Sequence, residues 1–259
     1  MPLLIGLTTW PIEINPNIVQ SSDMPLQTVE PQRLYRQIAE QLRAAMLSGE
    51  FTVGARLPAE RDLAKQLGVS RPSVREALIA LEVEGWVEVR TGSGIYVLDK
   101  NNAAKESQID PSEWGPLELI RARRVVEGEI ASLAALQAKK RDVDAIRLAL
   151  TSMKNEAQQG ILPLEGDRAF HTAIVQCCGN VVLLETVQSF WDSRRGPVFT
   201  RLGGYFETMK SWQSAIDEHE AILTAIAAHD GPAARAAMHA HMDKSHTRFS
   251  ASWRRASAP

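Results

Sequence analysis

Cysteine is nearly absent from this chain. Its 259 residues carry two, side by side at Cys177 and Cys178. Adjacent cysteines make no disulfide framework, so stability must come from an apolar core, and the usage suits a reducing cytoplasm. Long apolar runs are missing as well, and none approaches the length of a membrane span. Nor is there an excess of one charge: 29 basic residues face 31 acidic ones, and residues 25–100 hold ten of each. Bulk charge therefore gives no support for nucleic-acid binding, which has to rest on where the cations are placed. The opening MPLLIGLTTW lacks a basic segment, so a signal peptide is not expected. Residues 1–24 carry Pro2, Pro11 and Pro16 without any period. They are expected to form a disordered tail, or to be an over-extended start, since Met24 comes just before the first periodic segment.

What is present is ordinary globular sequence, 44% hydrophobic and 23% charged, long enough for two domains. A helix is expected over Pro31–Gly49, where Leu34, Ile38, Leu42, Ala45 and Met46 make one stripe. From Leu57 to Val97 the chain reads as two short helices, a tight turn and a two-stranded wing. Ala59–Leu67 places Leu63, Ala64 and Leu67 on one face, and Gly68 stops it. Ser70 is placed to cap Arg71–Glu84, where Val74, Ala77, Leu78 and Leu81 recur at helical spacing. Strands are expected at Val87–Arg90 and Ile95–Leu98, joined through Thr91-Gly92-Ser93-Gly94.

In a helix-turn-helix the start of the second helix meets base edges in the major groove. Here those turns carry Arg71, Ser73 and Arg75, and arginine suits bidentate contact with guanine. Arg61, one turn into the preceding helix, is within reach of a phosphate or a base. The run LPAER, the string SRPSVREAL and the Gly-Ser-Gly wing resemble the winged helix-turn-helix of GntR-type bacterial transcription regulators. The resemblance covers about residues 31–98. It implies Arg61, Ser70, Arg71, Ser73 and Arg75 at the DNA, with Gly92 at the wing tip.

Residues 99–115 (DKNNAAKESQIDPSEWG) are polar and aperiodic, a linker by composition. Beyond them every segment reads as helix: Pro116–Lys139, Asp142–Gln159, Pro163–Cys178, Val181–Ser193, Val198–Phe206, Lys210–His229 and Pro232–Trp253. The fold class expected is an α+β winged helix-turn-helix domain over 25–98, followed by an all-α antiparallel bundle over 116–256.

The informative positions in that bundle are polar residues on apolar faces. Asp167 and His171 lie four apart, in phase with Phe170, Ile174 and Cys178. His219 falls among Trp212, Ile216, Leu223 and Ile226, and His241 shares a face with Ala234, Met238 and Phe249. His239 and His246 fall on the outer face. One carboxylate and three inward imidazoles are ligands for a divalent metal, with zinc first and nickel or manganese as alternatives. Arg123 and Glu127, four apart and in phase with Ile120 and Ile130, read either as an intrahelical ion pair or as an arginine aimed at an anion. Cys177 and Cys178 read as core, and Arg194 and Arg195 as surface.

The strings DRAFHTAIVQCCGN and DEHEAILTAIAAHDGPAARAAMHAHM resemble the helical effector domain of the FadR subfamily of GntR regulators. That resemblance implies a divalent ion on Asp167, His171, His219 and His241, and an effector near Arg123. VEVRTGSGIYVL and GPLELIRARRVVEGEIASLAALQA are most similar to repressors of hexuronate catabolism, which implies a small carboxylate or sugar acid as effector. The expectation is thus a homodimeric, cytoplasmic repressor on a palindromic operator. The alternatives are a metal-dependent enzyme acting on a sugar acid, a sensor of the metal itself, or four ligand-like residues that serve only as a structural clamp.

Overall fold

Helix α1 (Leu34–Leu47) buries Ile38, Leu42 and Met46 of the expected stripe together with Tyr35 and Ala39, whereas Leu34, in its first turn, is exposed and Ala45 is half-buried. The computed structural model describes residues 33–99, 109–110 and 113–251. The tail read over 1–24 lies outside the described residues, as do 252–259. Helix α2 (Glu60–Leu67) ends at Gly68, whose φ of 66° is the left-handed conformation that ends a helix without strain only where no Cβ is present. Ser70 then caps α3 (Arg71–Val83) by accepting from the Ser73 N–H at 3.2 Å. Strands β1 (Val87–Arg90) and β2 (Gly94–Val97) pair antiparallel, with Val87 opposite Val97 and Arg90 opposite Gly94. The second strand thus begins one residue earlier than its apolar pattern suggests. Residues 91–93 make the turn, with Gly92 at φ 77°. The chain before α2 lies along β2, the Leu57 N–H donating to the Ile95 carbonyl at 2.8 Å.

Seven helices follow among the described residues. They are α4 (Pro116–Gln137), α5 (Lys140–Gln158), α6 (Leu164–Gln176), α7 (Val181–Ser193), α8 (Pro197–Phe206), α9 (Met209–Ala227) and α10 (Gly231–Phe249). Three of their starts are marked by side chains that accept orphan amides: Asn180 for α7, Thr208 for α9 and Asp230 for α10. Close approach is set by small residues. A Cβ on Gly128 of α4 would meet the His239 ring of α10, and one on Gly166 of α6 would strike Met153 of α5. His239 is therefore half-buried between helices, where its phase alone suggests the outer face.

Two apolar clusters result. The second lies inside the bundle, from Ile130 and Phe170 to Met238 and Met242. The first begins in the winged region with Tyr35, Leu63 and Leu78 and runs on through Leu117, Val198, Phe206 and Phe249 of the bundle. A polar linker does not by itself predict that continuity. Ile109 is buried and Trp114 meets the Phe190 ring edge-on at 6.0 Å, so the end of the linker is packed. Helix α3 has cover on two sides, α1 on one and α8 on the other, and Val74–Leu81 are all buried.

Candidate metal centre and nucleic-acid interface

Helix α6 delivers Asp167 and His171 from one face, four residues and one turn apart; α9 delivers His219 and α10 His241. One ligand atom from each lies within 4.8 Å of all the others, and all four residues are buried. His219 Nε2 is 2.9 Å from Asp167 Oδ1 and 3.3 Å from His171 Nε2. The outward nitrogen of each ring has its own partner. His219 Nδ1 meets the Ala215 carbonyl at 2.6 Å, His241 Nδ1 meets Glu218 Oε2 at 2.9 Å, and His171 Nδ1 pairs with Glu127 Oε2. These acceptors favour the proton on Nδ1 and leave the Nε2 lone pairs for the centre. Three lone pairs and a carboxylate facing one point repel each other unless a cation stands between them. The residues present therefore fit a divalent ion.

The electrostatics agree with that accounting. Burial and the neighbouring His219 hold the His241 imidazole down at about 3. Burial pushes the Glu127 carboxyl up, but Arg123 and His171 override it and hold it at about 2. Burial likewise opposes ionisation of Glu218, and His241 with Arg248 bring it to about 2. For His171, burial pulls downward and Glu127 with Asp167 outweigh it, so a proton is favoured there. A cation would satisfy the same negative field.

Asp167 and His241 also line a cavity of about 30 Å³ with Arg123, Arg194, Trp212 and Arg248. Arg123 Nε bonds Glu127 at 2.6 Å and its guanidinium lies 4.6 Å from the Trp191 ring centre, yet its Nη2 is buried with no hydrogen-bond partner. The Trp212 Nε1 is in the same state. Arg194 corrects an expectation. It is not surface: it pairs with Asp167 at 2.8 Å and with Glu207 at 3.2 Å. Arg195 is exposed. Glu218 and Glu127, which pair with the outward nitrogens of His241 and His171, are carboxylates that residue spacing passed over or read only as an ion-pair partner. Glu218 had a signal, since it directly precedes His219. Cys177 and Cys178 are half-buried, donating to the carbonyls of Ala173 and Ile130, and burial with nearby Asp142 pushes the Cys177 thiol up to about 11. A thiol so placed is a poor nucleophile.

At the other end, Arg61 and Arg71 stand exposed at the starts of α2 and α3, and Arg61 is 80% exposed on its side chain. They line one groove with Gly92 and Ser93 of the wing. Ser70 and Ser73 are bonded to each other at 2.8 Å beside it. Two further cations share the groove, Arg56 and Arg90. The Arg56 guanidinium lies against the Cα of Gly94, where a Cβ would displace it. Arg75 departs from expectation. It is 1% exposed, does not line the groove, and is bonded through Nε and Nη2 to Glu60 at 2.8 and 2.7 Å. The cause is α8 and the end of α10, which cover this side of α3.

Comparison with known proteins matches residues 34–97 to the family described as bacterial regulatory proteins, gntR family, and residues 118–244 to the FCD domain. The Exu regulon transcriptional regulator of Escherichia coli strain K12 is 36% identical over 224 residues, covering 84% of this chain and 85% of that protein. The Uxu operon transcriptional regulator of the same strain is 35% identical over 218 residues, covering 82% and 85%. Among solved structures, a Streptococcus agalactiae GntR protein covers 84% of this chain and 100% of its own at 26% identity, with a TM-score of 0.45. Among the described residues no helix is long and apolar enough to cross a membrane. A cation-lined helix-turn-helix joined to a helical bundle, and kinship over most of its length, place this chain in the GntR family of bacterial regulatory proteins: it is a DNA-binding transcription regulator with an FCD domain, not an enzyme.

Proposed function

We propose that this regulator represses a sugar-acid catabolic operon in the cytoplasm and responds to a hexuronate or related carboxylate bound beside a divalent ion. Asp167, His171, His219 and His241 would hold the ion, with zinc the best match to three imidazoles and one carboxylate. The ion supplies a Lewis-acid point for a ligand oxygen, and the chain's own groups orient the rest of the ligand. Arg123 offers an unpaired Nη2 to a carboxylate, and the Trp212 N–H offers a second donor. The observation that carries the reading is their convergence: two donors without partners and two of the four ion ligands edge one cavity. The names of the Exu and Uxu relatives support the sugar-acid class. At about 30 Å³ the cavity holds water and not a sugar acid, so its walls must rearrange on binding. Arg61, Ser70, Arg71 and Ser73 with Gly92 would make the first contacts with one half-site of a palindromic operator, and a second copy of the chain with the other.

Fluorescence anisotropy on DNA upstream of the protein's own gene tests this at fixed salt. Glucuronate, galacturonate, fructuronate, gluconate and galactonate are added singly to metal-loaded protein. Release by one of them, lost in Arg123→Ala, is expected. Binding that no sugar acid alters, but that a chelator abolishes, would make the ion itself the signal.

A further inference from the structure

Helix α3 is held to the bundle at three points along its length. Arg75 is enclosed: its Nη1 faces the Phe249 carbonyl at 3.4 Å, its guanidinium lies 5.6 Å from the Phe206 ring centre, and Glu60 clamps the other edge. Two turns on, Glu82 receives Arg201 of α8 through two bonds of 2.8 and 2.9 Å and the Tyr205 hydroxyl at 2.8 Å. Glu76 accepts the Leu117 N–H, at the start of α4, at 2.6 Å. The sequence separations are 174 residues for Arg75 to Phe249 and 119 for Glu82 to Arg201. They are tertiary contacts throughout.

We infer that this arrangement is a DNA-silent state. The bundle docks the recognition helix through α8 and the last turn of α10, and operator binding requires α3 to leave them. The inference rests on reading α3 as the DNA-contacting helix. Docked, α3 offers DNA only its first turn, Arg71 and Ser73; Arg75 is 1% exposed and cannot reach a base edge. A protein whose binding-competent form is a minority loses apparent affinity in proportion to that fraction. Every contact that holds the dock therefore weakens operator binding.

The dock also shares a wall with the effector cavity. Phe206, Arg248 and Phe249 line the cavity, and Phe206 and Phe249 cover Arg75. Glu207, next to Phe206, is tied through Arg194 to Asp167 of the ion site. A ligand in the cavity thus changes the dock directly: one that releases DNA stabilises it, and one that promotes binding opens it. By linkage, DNA alters effector affinity by the same factor.

The test uses full-length protein and a duplex that the wild type selects from random-sequence DNA. Arg201→Ala and Tyr205→Phe each remove a dock contact on α8 without touching the ion ligands or the groove. Operator affinity should rise about threefold to tenfold in Arg201→Ala, and less in Tyr205→Phe, while thermal stability falls. A purely structural role would lower both. Arginine modification by phenylglyoxal, mapped by mass spectrometry, gives a readout free of DNA: Arg71 should react in the wild type and Arg75 should not, and Arg75 should become reactive in Arg201→Ala. Unchanged or weaker DNA binding in both variants, with Arg75 still protected, overturns the dock. Failure to select any duplex would sink the reading of α3 instead, and the phenylglyoxal result would still judge the dock.

Discussion

Among the described residues two arginines are buried beside a glutamate, and they are finished differently. Arg75 in the DNA-binding half bonds Glu60 along one edge, faces a carbonyl with Nη1 and lies over a phenyl ring. Arg123 in the bundle bonds Glu127 through Nε, lies over Trp191 and leaves Nη2 without a partner at a cavity wall. A buried cation whose hydrogen-bonding needs are met by the chain holds elements together. One left short by a donor, at a cavity, is poised to take an anion from outside. The same pair of residue types is thus closed off in one half and left with a donor to spare in the other.

The contrast can be broken most sharply at Glu60. Glu60→Ala leaves Arg75 buried without its countercharge, a change that costs about 3–5 kcal/mol if the helix stays docked. Urea unfolding should show a loss of that order, or Arg75 should become reactive to phenylglyoxal as α3 swings out. A variant with neither effect would mean that the Arg75–Glu60 pair holds nothing together. In the bundle, Glu127→Gln should act on the ion. It keeps the shape but removes the carboxylate that orients His171, and competition with a chromophoric chelator should show zinc affinity lower by about 10–100-fold. Equal affinity in the two proteins would leave Glu127 as a partner of Arg123 alone.

Glu76 sharpens the comparison through pH. Burial lifts its carboxyl to about 7 from an ordinary 4.5, against the pull of the Leu117 N–H. The folded state therefore holds this proton more tightly than the unfolded one. The stability it brings is complete below about pH 4.5 and is lost as pH rises through about 7. Glu76→Gln should flatten the slope of stability between those limits by on the order of 2 kcal/mol, read from thermal melts in a pH series. A slope identical to the wild type would show that Glu76 is not protonated there. The smallest effect is expected in the groove. Arg56→Ala should weaken binding a few-fold on every duplex and reduce the slope of log affinity against log salt by about one. A loss confined to one base pair would instead make Arg56 a reader of sequence.

The helices are legible in the residues to within a few positions because each carries its own stripe and stop signals. Val181–Ser193 agrees at both ends, and α10 starts one residue before its expected Pro232. The four residues that converge inside the bundle are legible for the same reason. Asp167 and His171 are one turn apart on an apolar face, and His219 and His241 each interrupt one, so periodicity alone turns all four inward. Arg123 is legible as an inward cation by the same phase. Arg194 is not, because it stands at the end of α7, where no stripe continues, and its acceptors Asp167 and Glu207 come from α6 and from the end of α8. Glu218 is missed although it adjoins His219: its value lies in the distance to His241 and Arg248, on another helix.

The sequence by itself determined which face of each helix is apolar, where helices and strands start and stop, and which polar groups must go inside. Those follow from local geometry, 3.6 residues per helical turn and two per strand repeat, and from the conformational limits of Gly, Pro and capping residues. Only the tertiary structure decided what covers each face. Periodicity gives a helix one buried side, yet α3 is covered on two, because a helix more than a hundred residues away packs against it. That second cover turned Arg75 from an expected DNA contact into a buried one. The same long-range packing left Arg123 short of one partner and set it at the edge of a cavity.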